Sequence, residues 1–282
     1  MGYVFIDGVK MIIFWGPNNA GRKTYITTLY NTIQTKCKTW KMTPTSEFSR
    51  ELIAGWSIDL FNNKKIPYFT DTVKDDEKYY FDIEYIPFPP TQIKKKSIQL
   101  LYLDPNGAFF ENPDKEIAFK KLITENFKQS SGVLLLIDPE RKETSTKDSY
   151  YALFSRHISK LMNIYYQDSV HFNKIQIPFA ICFTKMELEK HKQYIKFPQK
   201  FATHIIGQDT CELIDNYVQL YKYFTCSSVG FENNDSNTYC DACGYTKLHK
   251  EPDPICILEP LKWITINSYK VQKENNETIR SA

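Results

Sequence analysis

The segment Lys10-Met-Ile-Ile-Phe-Trp15 runs without interruption into Gly16-Pro-Asn-Asn-Ala-Gly21-Arg22-Lys23-Thr24, and apolar residues at helical spacing follow from Lys23 to Thr35. An apolar run, a turn bracketed by glycines and an amphipathic helix open a strand-to-helix crossover, which commits a chain to a parallel sheet. The same context is that of a phosphate-binding loop. In such a loop backbone N–H groups at a helix N-terminus surround phosphate oxygens, glycine lets the backbone come close, and a lysine adds a point charge. The usual pattern places Lys directly after the second glycine and Ser or Thr after that; Arg22 and Lys23 occupy those places here. Two alignments are open. Either Arg22 stands for the lysine and Lys23 for the magnesium-binding hydroxyl, or Arg22 is an extra residue and Lys23 with Thr24 does the work, at the expense of a turn of about 100° in the side chains.

Four further apolar runs, 79–86, 97–103, 132–137 and 177–183, are separated by amphipathic stretches near 115–129, 146–166 and 211–222. Short apolar runs alternating with helical stretches predict an α/β fold with a doubly wound, mostly parallel sheet. Residues 79–86 alternate apolar with polar and meet 97–103 across a Pro- and Lys-rich link, which predicts an antiparallel pair at a sheet edge. We expect one domain over residues 1–269, with a polar insertion at 231–254 and a flexible tail at 270–282.

Three more motifs follow the loop in order. Leu103-Asp104-Pro-Asn-Gly107 ends the third run, where an Asp can hold magnesium through water and a Gly amide can meet a γ-phosphate. Thr184-Lys185-Met186-Glu187 ends the fifth, and Ser227-Ser228 lies beyond a helix. With these residues in view the chain resembles a P-loop GTPase of the translation-factor-like class over roughly residues 8–268. The resemblance implies that Gly16, Asn19, Ala20, Gly21, Arg22, Lys23, Thr24 and Gly107 hold phosphates of GTP or GDP. It implies that Thr24, Thr70 and Asp104 serve Mg2+, and that Thr184, Lys185, Glu187, Ser227 and Ser228 frame the base. Glu187 in place of the family's Asp keeps an acceptor and lengthens the arm by one methylene.

Gly-Pro-x-x-x-Gly followed by Thr24 to Tyr30, Pro67-Tyr-Phe-Thr70, and Ile257-Leu-Glu-Pro-Leu-Lys-Trp263 resemble the bacterial double-GTPase family, proposed to act as paired subunits in multi-gene conflict or defence systems. That match supports the first loop alignment. It implies a protein partner, another GTPase-like or effector subunit. Where small GTPases place a water-orienting Gln, this chain has Ala108, and the next polar side chain is Glu111. Hydrolysis by the isolated chain is therefore expected to be slow, with a nucleotide-free scaffold as the competing reading.

Composition narrows the rest. With 36 Lys plus Arg against 33 Asp plus Glu, the net charge of +3 does not advertise nucleic acid. No apolar run approaches the roughly 20 residues that cross a bilayer, and the opening Met1-Gly-Tyr-Val-Phe-Ile6 has no basic, apolar-cored leader pattern, so neither membrane insertion nor export is expected. Seven scattered cysteines point to reduced thiols in a cytoplasm. Cys240 and Cys243 have the spacing of a zinc knuckle, which Cys226, His249 and Cys256 would have to complete, and two thiols in a polar loop are the plainer reading.

Overall fold

The computed structural model describes residues 10–17, 19–67, 78–85, 96–103, 126–127, 129–140, 155, 159, 174–233 and 235–268. A seven-stranded sheet organises them. Its strands are β1 (Lys10–Trp15), β2 (Trp40–Pro44), β3 (Lys78–Tyr85), β4 (Lys96–Leu103), β5 (Ser130–Ile137), β6 (Phe179–Phe183) and β7 (Tyr221–Thr225), in the spatial order β2-β3-β4-β1-β5-β6-β7. β4, β1, β5, β6 and β7 are parallel, β3 is antiparallel to β4, and β2 is antiparallel to β3. This is the predicted doubly wound, mostly parallel α/β sheet with an antiparallel edge. The expected pair β3–β4 forms, but it is not the edge: the unanticipated β2 caps it, pairing Trp40 with Tyr85 and Met42 with Ile83.

Alternation along the central strands sends side chains to opposite faces. Ile12 and Phe14, Leu134 and Leu136, and Ala180 and Cys182 pack on one side, with Tyr25, Ile26 and Leu29 of α1 (Arg22–Lys36) and Ile53 and Trp56 of α2 (Glu47–Ser57). Ile13 and Trp15, Val133 and Leu135, and Ile181 and Phe183 pack on the other, with Phe201 of α3 (Pro198–Ile206) and Ile214 of α4 (Gln208–Tyr217). Because both faces are covered, β5 reads as an unbroken apolar run rather than an alternating one.

Helix α2 starts where Ser46 accepts a hydrogen bond from the Ser49 N–H at 3.0 Å, and it continues into a π-helical turn, Ile58–Asn62. The helix over residues 259–268 (α5) lies across β5 at Gly132, where an added Cβ would stand 2.5 Å from Ile264 Cγ2. Ser268 Oγ at the end of α5 donates to the Ser131 carbonyl within 2.6 Å.

The helix expected over 211–222 begins earlier and stops at Tyr217. Val218 turns extended and forms a parallel bridge with Ile175, after which Tyr221–Thr225 join the sheet as β7. The polar insertion is ordered into two short ladders, Phe231–Glu232 with Asp235–Ser236 and Thr238–Cys240 with Thr246–Leu248. Leu248 and Val229 pack on Leu60 of the π-turn, which anchors the insertion to α2. Predicted helices near 115–129 and 146–166 lie almost wholly outside the described residues. Among the described residues, no helix is long and apolar enough to cross a membrane.

Candidate nucleotide-binding site

Strand order reverses at β1, which has β4 on one side and β5 on the other, and the carboxyl end of β1 carries the glycine loop. Such a switch point leaves a crevice beyond the strand ends, where open α/β sheets bind ligands. The loop's course is set by close approach. A Cβ on Gly16 would stand 2.9 Å from the Leu136 carbonyl oxygen and 3.0 Å from Leu136 Cβ, so only glycine lets the loop lie on β5. Asn19 (φ 62°) and Gly21 (φ 75°) are left-handed on either side of the buried Ala20, whose N–H reaches the Pro17 carbonyl at 3.3 Å. Left-handed steps of this kind turn successive N–H groups toward one side.

Helix α1 begins at Arg22 itself. Gly21 is its N-cap, the Tyr25 N–H bonds the Gly21 carbonyl at 2.8 Å, and no acidic residue stands in the first turn. Arg22, the first helical residue, is buried. Lys23 extends toward α2, its Nζ 5.5 Å from the centroid of the Trp56 ring. A magnesium-ligating hydroxyl in the usual place would have to stand at position 23. Thr24 is turned about 100° further round the helix, and it is buried. Thr70 and Asp104, the other expected magnesium ligands, and Gly107 and Glu111 lie outside the described residues.

The base-end residues come together at the carboxyl ends of β6 and β7. Thr184 follows β6 and donates both its N–H and its hydroxyl to the Ile137 carbonyl, at 3.0 and 3.1 Å. Its proton is thus spent on the sheet. Lys185 is left-handed (φ 57°), and its Nζ pairs with Asp138 at 2.8 Å. Glu187 is buried, and its Oε2 accepts from Ser227 Oγ at 2.6 Å; Ser227 Oγ in turn accepts from the Gly230 N–H at 2.8 Å. Ser227 is fixed by a two-way backbone bridge with Ile255, at 3.0 and 2.8 Å. Gly230 (φ 75°) is irreplaceable on steric grounds, since a Cβ there would lie 2.1 Å from the Asp253 carbonyl oxygen. Burial pushes the Glu187 carboxyl above its usual range, against the opposing Ser227 hydrogen bond and the Lys185 charge. Ser228 is half-buried beside this group.

A group of linked charges next to Lys185 was not anticipated from the sequence. Asp138, at the end of β5, holds Lys185 with Oδ2 and the Glu140 N–H with Oδ1 at 2.9 Å. Glu140 pairs with Lys190 at 2.6 Å and hydrogen-bonds His191. Burial alone would raise the Glu140 carboxyl, but those two partners outweigh it and lower it. The only sequence signal was an acidic residue ending an apolar strand at its carboxyl end.

The phosphate and base ends are joined at the back of the sheet. Tyr25 of α1 donates its buried hydroxyl to the Ile257 carbonyl at 2.8 Å, two residues beyond the Ile255 that pairs with Ser227. The expected zinc group is not assembled. Cys240 and Cys243 are exposed in a turn that Asp241 closes, accepting from the Cys243 and Tyr245 N–H groups at 2.9 Å each. Cys226 is buried and donates to the Cys256 carbonyl, while His249 packs on Tyr239. Among the described residues, no three His, Cys, Asp or Glu side chains converge on a metal position.

A scan against protein-family models and a search of curated proteins each find no match. Among solved structures the chain is similar to the S. cerevisiae Ski7 GTPase-like domain bound to GTP, at 15% identity over 78% of this chain and 43% of that one, with a TM-score of 0.44. It is similar to a chain of the signal recognition particle receptor SRb-GTP/SRX complex from Chaetomium thermophilum, at 15% identity over 81% and 94%, TM-score 0.40. It is also similar to nucleolar GTP-binding protein 1 from Plasmodium falciparum, at 12% identity over 98% and 95%, TM-score 0.38. The chain spans less than half the length of the Ski7 chain it matches. These likenesses concern the arrangement of strands and helices alone, and the site stands on its own residues.

Proposed function

We propose that the chain is a GTPase-like nucleotide-binding domain. The observation that carries this reading is the placement, along one edge of one sheet, of the glycine loop at the β1 switch point and the Glu187–Ser227 pair beyond β6 and β7. The loop offers N–H groups and a helix N-terminus to phosphates. Glu187 offers an oriented, partly desolvated acceptor to the N–H donors of a guanine edge, and adenine presents no matching pair of donors to it. Lys185 and Ser228 flank the base, and Thr184 secures the turn that presents them. Hydrolysis in the isolated chain is slow, and a partner subunit supplies the groups that accelerate it. Its finer setting, a subunit of a bacterial double-GTPase conflict or defence system, is supported by the sequence motifs.

Calorimetric titration with GTP, GDP and ATP tests the reading. Binding at roughly micromolar Kd that prefers guanine and weakens in Glu187→Ala supports it. Silence from folded, nucleotide-free protein with all three overturns it and leaves the scaffold reading.

A further inference from the structure

We propose that Cys226 and Cys256 close into a reversible disulfide when a low-molecular-weight disulfide oxidises the chain, locking Ser227 to the segment that carries Ile255. The inference rests on how these two residues pack and holds whether or not nucleotide binds.

Backbone register carries the argument. Ser227 and Ile255 form an antiparallel bridge and exchange both N–H···O bonds, at 3.0 and 2.8 Å. Cys226 and Cys256 are the next residues on the two segments, so they face each other at a non-hydrogen-bonded position, where Cα atoms stand about 4.5 Å apart. A disulfide spans Cα separations of roughly 4.4–6.8 Å. The Cys226 side chain already reaches across, its Sγ donating to the Cys256 carbonyl at 3.1 Å. Cys256 then turns left-handed (φ 55°), which ends the bridge at this pair. Both thiols are free. Cys182, the buried thiol of β6, stands opposite Phe224 in the register with β7, two residues short of Cys226. That offset puts the Cα atoms about 8 Å apart, beyond a disulfide's span.

The pair sits at a junction. The Cys226 N–H bonds the Phe183 carbonyl at 2.7 Å, and its carbonyl accepts from the Met186 N–H at 3.3 Å, next to Glu187. Ile257, which follows Cys256, receives the Tyr25 hydroxyl of α1. One bond between the thiols would join these contacts covalently and close a loop around the whole polar insertion.

Cys256 is half-buried and Cys226 fully buried, so exchange starts at Cys256. Its thiolate attacks one sulfur of the small disulfide, whose S–S bond breaks and releases one thiolate; the Cys226 thiolate then attacks the Cys256 sulfur and releases the second. The chain loses two electrons as its S–S bond forms, the small disulfide gains them, and the two thiol protons pass to the released thiolates. Burial pushes the Cys226 thiol up, and the contact with Cys226, followed by burial, pushes the Cys256 thiol up. Exchange is therefore slow at neutral pH and quickens as pH rises.

The test uses the full chain carrying Cys240→Ser and Cys243→Ser, which removes the two exposed thiols. The reduced protein is incubated with oxidised glutathione, alkylated under denaturant and mapped by mass spectrometry. We expect a Cys226–Cys256 crosslink that dithiothreitol reverses, with the melting temperature raised by about 5 °C or more. Adding Cys256→Ser removes both effects, and adding Cys182→Ala leaves both in place. Alkylation of both Cys226 and Cys256, glutathione retained on Cys256 alone, or a bond from Cys226 to Cys182 overturns the inference. A mapped crosslink with no rise in melting temperature overturns the lock.

Discussion

At the phosphate end, the loop from Gly16 to Gly21 is shaped by steric contact with β5 and by left-handed backbone; at the base end, Glu187, Ser227 and Gly230 are joined through hydrogen bonds within a buried group. The first construction fixes a backbone path and leaves the choice of cation to the side chains that follow. The second fixes a carboxylate at a chosen place before any ligand arrives. Departures from the usual motif therefore have unequal weight. Arg22 and Lys23 change the side chains at the start of α1, whereas the longer arm of Glu187 is held by Ser227.

Substitutions at the two ends sharpen that contrast. The largest effect is expected from Gly230→Ala, where a methyl meets a backbone oxygen in a left-handed residue. Unfolding in urea should show a loss of about 3 kcal/mol or more, and a loss under 1 kcal/mol would mean that the 253 segment yields easily. Ser227→Ala should follow. It leaves the buried carboxylate and the Gly230 N–H each short of a partner, a cost of about 1–3 kcal/mol, with guanine affinity falling beyond what the stability loss explains. Gly16→Ala presses on Leu136 and should cost about 1–3 kcal/mol and remove phosphate binding, measurable as lost affinity for GDP.

Acid separates binding from stability at Glu187. Its folded carboxyl is raised above the ordinary value of 4.5 by burial. Between that value and the raised one the folded state holds more protons than the unfolded, so this group's contribution to stability falls as pH rises through the window. Guanine binding runs the other way, because it needs the ionised acceptor, and so weakens as pH drops through the same range. Glu187→Gln should remove this group's part of the stability slope and the acid dependence of guanine binding; a guanine affinity whose acid dependence survives that change would remove Glu187 from the base site. The smallest effect belongs to Cys240→Ser with Cys243→Ser. Two exposed thiols in a turn closed by Asp241 should move the melting temperature by about 2 °C or less, with or without chelator, and a larger fall on chelation alone would restore a metal to the hairpin.

Legibility from sequence followed the same division. The strand, loop and first helix were readable almost to the residue because glycines punctuate them, and the turn at Thr184–Glu187 because it ends an apolar run; β7, which leads to Ser227, was hidden in the expected helix over 211–222. β2 escaped because Trp40–Pro44 is short and ends in proline. α2 escaped despite a usable signal, Ser46 and Glu47 ahead of Ile53 and Trp56. The Asp138–Lys185 and Glu140–His191 pairs join residues 47 and 51 positions apart. No local spacing encodes such pairs; they exist because β5 and β6 are neighbours, and that follows only from the sheet order.

The Tyr25–Ile257 hydrogen bond spans 232 positions. During synthesis the tyrosine of α1 leaves the ribosome 232 residues ahead of the carbonyl that receives it. The two halves of the crevice are thus closed by a late segment, at the pace of translation, about 5–20 residues per second. Until Ile257 has emerged, the glycine loop and α1 stand without the segment that Tyr25 holds.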